Sequence, residues 1–221
     1  MQINPAILTD SLATFIQQLD LVKQVPAIKA IQVDIIDAVF ADNITINPTD
    51  LVDFDFEDLA IDFHLMTEEP MDYVWELIDC GQKLPTQSVI GQIEKMSYQL
   101  DFLEEIKKAG WQAGLAVNLF TPLENIEENA WEYLDQVLLM AVEAGAQGQA
   151  FNSLIFAKIE ELKNKIKKSN QQIKIAVDGG IKPEQIKNLQ KAGVDQIAVG
   201  SALFNADDFT KEFDKFNKEL L

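Results

Sequence analysis

"IKIAVDGGIKPEQIKNLQKAGVDQIAVGS", residues 173–201, holds one full turn of the pattern that decides the fold. Its first six residues, 173–178, form a short aliphatic and β-branched run of the kind that is buried on both faces in a parallel sheet. Gly179 and Gly180 interrupt the run. Pro183 then stands where a first-turn proline belongs, with Glu184 behind it, and Gly193 follows an amphipathic segment as a helix C-terminal glycine does. "DQIAVG", 195–200, reads as the next strand. Strand, helix and strand in this order make a βαβ unit.

The same alternation extends back through the chain. Strand-like stretches lie at 2–8, 30–36, 60–66, 87–93, 112–118 and 136–142. Between them are amphipathic segments such as "YQLDFLEEIKKAG", where Leu100, Leu103 and Ile106 recur at helical spacing and Gly110 closes the run. "KNKIKKSNQQ" reads as a helix end and a surface loop. Eight strands alternating with helices, without a glycine- or serine-rich linker, predict an α/β fold, a (β/α)8 TIM barrel forming one domain over residues 1–221. An open doubly wound sheet is the competing topology. Its glycine fingerprint after the first strand is missing, since "PAILTDS" contains no glycine.

Composition narrows the function. With 48% hydrophobic and 24% charged residues in 221, the chain is globular with a sizeable core. No apolar run is long enough to span a bilayer, no secretory signal is visible, and Cys80 is the single cysteine, so the expectation is a soluble cytoplasmic protein. The formal net charge is −18, and all 18 basic residues are Lys. Such a surface repels nucleic acid and acidic membranes, which excludes both as expected partners. An anionic ligand then has no Arg fork to hold it. Backbone N–H groups, helix N-termini, Lys or a metal must do so.

In a barrel of this type the chemistry lies at the C-terminal ends of the strands. The residues there are Asp34, His64, Gln92, Asn118, Met140, Asp178 and Gly200–Ser201. Residues two apart on a strand share a face, so Gln32 points the same way as Asp34, and Asp62 the same way as His64. Taken singly, His64 reads as a hydrogen-bonded core histidine, Asp34 as a structural carboxylate and Asp178-Gly-Gly as a turn. Two carboxylates and the only imidazole at the ends of three strands suit proton transfer around a divalent metal.

"IQVDIIDAVFADNITINP" (31–48), "IDFHLMTEEP" (61–70), "VNLFTPLE" (117–124), "LLMAVEAGAQGQAF" (138–151), "VDGGIKPEQI" (177–186) and "AVGSALF" (198–204) together resemble the motifs of ribulose-phosphate 3-epimerases. They occur in that family's order. The resemblance implies a barrel of the ribulose-phosphate binding type and an isomerase that inverts C3 of a phosphorylated ketose through an enediolate. It implies Asp34 and Asp178 as the catalytic acid and base. It also implies one divalent metal (Zn, Mn, Mg or Fe) on His64, Asp34 and Asp178, a phosphate held by Gly179, Gly180, Gly200 and Ser201, and a substrate loop carrying Gly145 and Gly148. Family members are often homo-oligomers.

The departures are specific. Gln32 stands where the family has a metal-binding His and is a weaker, neutral ligand, and Gln92 replaces the strand-4 His although Glu94 remains. Ala6 replaces a substrate-site Ser, Ile36 a Met near the metal, while Met66 and Met140 stay. The family's D-G-H-F-V-P-N reads "DAVFADN" here, and its P-G-F-G-G-Q reads "AGAQGQ". With Gln32 assisting, the remaining oxygen-rich set favours Mn²⁺ or Mg²⁺ over Zn²⁺. The alternative is a metal-free paralogue that binds a sugar phosphate without epimerising it.

Overall fold

The eight apolar runs close into one parallel barrel. Its strands are β1 (Gln2–Ile7), β2 (Ala30–Ile36), β3 (Ala60–Met66), β4 (Thr86–Gln92), β5 (Gln112–Val117), β6 (Gln136–Met140), β7 (Lys174–Asp178) and β8 (Gln196–Val199). Each pairs with the next, and β8 returns to β1 with Asn4 opposite Ala198. The computed structural model describes residues 1–220. Among the described residues six helices of two or more turns pack outside: α1 (Leu12–Lys23), α2 (Met71–Cys80), α3 (Gln99–Lys108), α4 (Ile155–Ser169), α5 (Pro183–Ala192) and, after the single turn α6 (Ser201–Phe204), α7 (Phe209–Glu219). No helix among the described residues is long and apolar enough to cross a membrane.

The strict alternation of strand and helix fails twice. The connections after β2 and β5 carry only 3₁₀ turns, at Pro48–Leu51, Leu123–Asn125 and Glu128–Glu132. Pro48 and Pro122 lack the N–H that an α-helix interior needs, and Asn47 and Asp50 satisfy local backbone groups instead. In α3 the buried face is Phe102, Leu103 and Ile106, with Leu100 only half-buried. Gly110 and Gly193 adopt φ of +86° and +89°, the left-handed geometry that ends α3 and α5.

Period-two alternation sends half of each strand inward. Ile31, Val33 and Ile35 face the helices, whereas Gln32, Asp34 and Ile36 face the barrel interior. That interior is layered. At the N-terminal end the buried Asp62 carboxylate accepts from Asn4 Nδ2 (2.8 Å), Gln196 Nε2 (2.9 Å), Ser88 Oγ (2.6 Å) and Gln87 Nε2 (3.0 Å). Above it Ile90, Ala116, Leu138 and Ala176 form an apolar plug. The plug raises the second polar layer to the mouth.

Candidate active site

Four side chains from three strands meet at the C-terminal end of the barrel. Gln32 and Asp34 come from β2, His64 from β3 and Asp178 from the last residue of β7. Register sets Asp34 opposite His64, and Asp178 meets them across the barrel through the Gln32 amide. Gln32 Nε2 donates to Asp34 Oδ1 at 2.8 Å and to Asp178 Oδ2 at 2.6 Å. His64 Nδ1 lies 3.1 Å from Asp34 Oδ1 and 3.9 Å from Asp178 Oδ2. Burial, and then the Asp34 charge, push the Asp178 carboxyl up to about 7, against the pull of His64, the Gln32 amide and the Gly179 N–H.

Asp34 is buried, and its charge is met inside the barrel. Its carboxylate is paired with an amide and an imidazole on the mouth side of the apolar plug. Asp62, which shares the inward face of β3 with His64, belongs to the other polar layer and takes no part at the mouth. Behind the imidazole, Gln92 approaches His64 Nε2 at 3.2 Å. Asn118 turns away to hold the loops: its N–H donates to Glu94 Oε1 at 2.8 Å, and its Oδ1 accepts from the Ala144 N–H at 3.3 Å.

A cavity of about 270 Å³ opens over Asp34 and Asp178. Gly179, Gly180, Gly200 and Ser201 line it on one side, with Ala6, Met66 and Met140 below and Gly145 and Gly148 above. The cradle has no room for side chains. A Cβ on Gly180 would fall 2.4 Å from the Phe151 nitrogen, and one on Gly179 would fall 2.5 Å from Val142 Cγ2. The β6–α4 loop closes toward the β2–β3 loop, with Asn43 Nδ2 donating to the Gly145 carbonyl at 2.9 Å.

The "DAVF" turn keeps its shape without glycine. Ala38 sits at φ +63°, while Asp37 Oδ1 accepts from the Val39 and Phe40 N–H groups at 2.9 and 2.8 Å. Three further residues matter here that sequence reasoning missed. Gln147 reaches into the cavity beside Gly200, its Nε2 3.5 Å from the Ala6 carbonyl, where the family pattern has a glycine. Lys182 is the one basic residue among the described residues that line the cavity; the absence of Arg had left Lys open as a residue type but pointed to no position. Lys158, on the buried face of α4, donates to the carbonyls of Asn118, Leu119 (3.2 Å) and Thr121 (2.6 Å) and so props the loop after β5. Burial lowers its ammonium to about 8. Its signal was a Lys in register with Ile155, Ile159 and Leu162.

The donor set suits a divalent cation. Ligand atoms of Asp34, His64 and Asp178 all lie within 4.8 Å of one another. Among the described residues the buried Gln32 Oε1 has no hydrogen-bond partner, so turning that amide over would add a fourth ligand atom, the third oxygen of the set. Two carboxylates, an amide oxygen and one imidazole form a hard set, suited to Mn²⁺ or Mg²⁺ more than to the sulfur- and nitrogen-rich preferences of Zn²⁺.

A closed (β/α)8 barrel with an Asp–His–Asp cluster at its mouth has the architecture of a barrel enzyme. Comparison with known proteins gives the particular family. The sequence pattern of the Ribulose-phosphate 3 epimerase family matches residues 2–204, and the chain belongs to that family. The ribulose-phosphate 3-epimerase of Aquifex aeolicus is 36% identical over 163 residues, covering 74% of this chain and 71% of that protein. The Bacillus subtilis enzyme of the same name is 31% identical over 214 residues, covering 96% and 95%. Among solved structures, 3-hexulose-6-phosphate synthase from Salmonella typhimurium superposes with a TM-score of 0.63 at 18% identity, covering 100% of this chain and 98% of that one. Orotidine 5'-phosphate decarboxylase from Pyrococcus horikoshii gives 0.66 at 18% identity, covering 99% of each chain. These two share the barrel fold.

Proposed function

We propose that this chain epimerises a phosphorylated ketose at C3, with Asp34 and Asp178 as the acid and base. The single observation that carries this reading is the convergence of the two carboxylates on one amide nitrogen, at 2.8 and 2.6 Å, on the floor of the glycine-lined cavity. One carboxylate takes the proton beside the ketone from one face of the substrate. The other returns a proton to the opposite face, so the centre inverts. Two buried carboxyls in contact with one donor resist carrying two charges, which favours the state with one proton between them that such a pair needs.

Asp34, His64, Asp178 and the oxygen of a turned Gln32 amide would hold one divalent cation. When bound, it would supply positive charge to stabilise the oxyanion that forms as the proton leaves. Gly179, Gly180, Gly200 and Ser201 would take the phosphate through their N–H groups, with Lys182 adding the charge that no Arg supplies. Gly145 and Gly148 let the β6–α4 loop fold over the ligand, and the cavity of about 270 Å³ suits a pentose phosphate better than a nucleotide.

The Gln32 orientation favours a second reading. Its nitrogen lies between the two carboxylates, where it pairs them without a metal, and this fits a metal-free sugar-phosphate-binding paralogue. One experiment separates the two readings. Ribulose 5-phosphate is incubated with the purified protein in D₂O, with Mn²⁺ or with chelator, and deuterium at C3 is followed by NMR. The first reading expects exchange that depends on Mn²⁺. Phosphate-competable binding without exchange under either condition would overturn it in favour of the second.

A further inference from the structure

The Gln92 amide has two possible orientations, and its neighbours admit one. With its oxygen toward the imidazole, Gln92 accepts from His64 Nε2–H at 3.2 Å, while its nitrogen donates to Glu94 Oε2 at 2.7 Å and to the Ala116 carbonyl at 3.3 Å. The reverse orientation points the amide oxygen at two acceptors. Glu94 cannot give way, because its other oxygen already accepts the Asn118 N–H at 2.8 Å. Gln92 and His64 are both fully buried, so no solvent can repair a wrong orientation.

We infer that Gln92, held by Glu94, is a positioning residue that keeps the His64 proton on Nε2 and leaves Nδ1 to a cation. The consequence lies on the far side of the ring. A neutral imidazole with its proton on Nε2 directs a lone pair from Nδ1 at Asp34 Oδ1, 3.1 Å away, and two acceptors face each other. A metal ion, a second ring proton or the carboxyl pair's shared proton carried on Asp34 Oδ1 resolves the contact. The pair therefore prepares a ligand nitrogen in advance and disfavours the neutral ring with its proton on Nδ1, which would close the site by bonding to Asp34. This deepens the cation reading proposed above, and its own test is the state of one ring.

His64 is the only histidine in the chain, so long-range ¹⁵N–¹H correlation spectra report it without assignment. In chelator, the parent protein is expected to show the Nε2–H form or the doubly protonated ring at every pH, and no Nδ1–H neutral form. Gln92→Ala should bring in the Nδ1–H form and weaken Mn²⁺ binding, measured by calorimetry, by about 10–100-fold. Glu94→Gln should shift both readouts the same way, because one of the two N–H groups that meet that carboxylate would then face an amide nitrogen. Gln92→Glu, taking up a proton toward Glu94 and still presenting an acceptor to Nε2, should keep the parent tautomer. Should Gln92→Ala fail to fold, Glu94→Gln and Gln92→Glu decide the matter. A dominant Nδ1–H form in the parent, or an unchanged ring and unchanged affinity in the variants, overturns the inference. If the parent binds no Mn²⁺, the cation reading falls. The ring spectra still decide the role of Gln92.

Discussion

Gln32→Glu exchanges the one neutral donor between two buried carboxylates for a third carboxylate. Gln32 is fully buried, and its Nε2 makes hydrogen bonds of 2.8 and 2.6 Å to Asp34 and Asp178. Hydrogen bonds to charged groups contribute about 1.5–3 kcal/mol each, so losing two sets the scale at about 3–6 kcal/mol. Uptake of a proton by the crowded carboxyls caps the repulsion that follows, and the lost bonds remain the main cost. A divalent cation reverses the sign, because the added oxygen becomes a charged ligand where the amide offered a neutral one. Urea denaturation should therefore show the variant less stable than the parent by about 3–6 kcal/mol in chelator. In millimolar Mn²⁺ the gap should close, with binding tightened at least about tenfold, which corresponds to about 1.4 kcal/mol. A loss below about 1 kcal/mol in chelator, less than one such bond, would refute the view that this amide holds the carboxylates together. A loss equal in chelator and in Mn²⁺ would refute the view that the position faces a cation.

Three other substitutions probe the rest of the site. Asp178→Asn should abolish C3 exchange while phosphate still competes for the cavity. In chelator it should also remove a pH dependence. Asp178 in the fold titrates near 7, above its ordinary 3.8, so the parent loses stability as pH rises between those values, and the amide variant, followed by thermal melts, should lack that slope. Lys158→Met strands the carbonyls of Asn118, Leu119 and Thr121 and should cost about 2–4 kcal/mol in urea melts; a loss within 0.5 kcal/mol, the range of an ordinary surface substitution, would show that water replaces the ammonium. Ala38→Gly relaxes a left-handed residue at φ +63° and should raise stability by about 0.5–1 kcal/mol, read as a small upward shift in Tm.

The strands were legible because parallel barrels bury both faces. Runs such as "AIQVDII" and "QVLLM" carry enough aliphatic residues to stand out whichever way each side chain points. Pro183 and Gly193 marked the ends of α5 through backbone geometry that few other residues accept. The connections after β2 and β5 were less legible. Their apolar residues, such as Leu51 and Leu123, are as buried as helix residues, yet prolines and acidic side chains divert the backbone into 3₁₀ turns. At the site, strand period and the family's motifs together found Asp34, His64 and Asp178. Period alone also offered Asp62, because it gives the inward face without the height in the barrel. Height depends on the stagger between strands, which sets Asp62 opposite Gln32 on one side and Ser88 on the other. Lys158 and Gln147 were hidden for a related reason, since their partners lie on segments 37–40 and 141 residues away in sequence.

The two glutamines that depart from the family pattern act on opposite sides of one imidazole, and a count of protons couples them. Gln92, oriented by Glu94, accepts at Nε2 and leaves Nδ1 without a donor. Gln32 sends its N–H groups to Asp34 and Asp178 and leaves its own oxygen buried without one. With both carboxyls ionised, the cluster of two carboxylates, two amides and one neutral ring is therefore one positive species short. A proton on Nδ1 fills the gap between the ring and Asp34 but leaves the Gln32 oxygen stranded. A divalent cation, with the Gln32 amide turned over, serves Nδ1, both carboxylates and that oxygen together. On the proposed reading, glutamine at both positions makes the cluster favour a cation, because each amide can present whichever end the neighbouring charge requires.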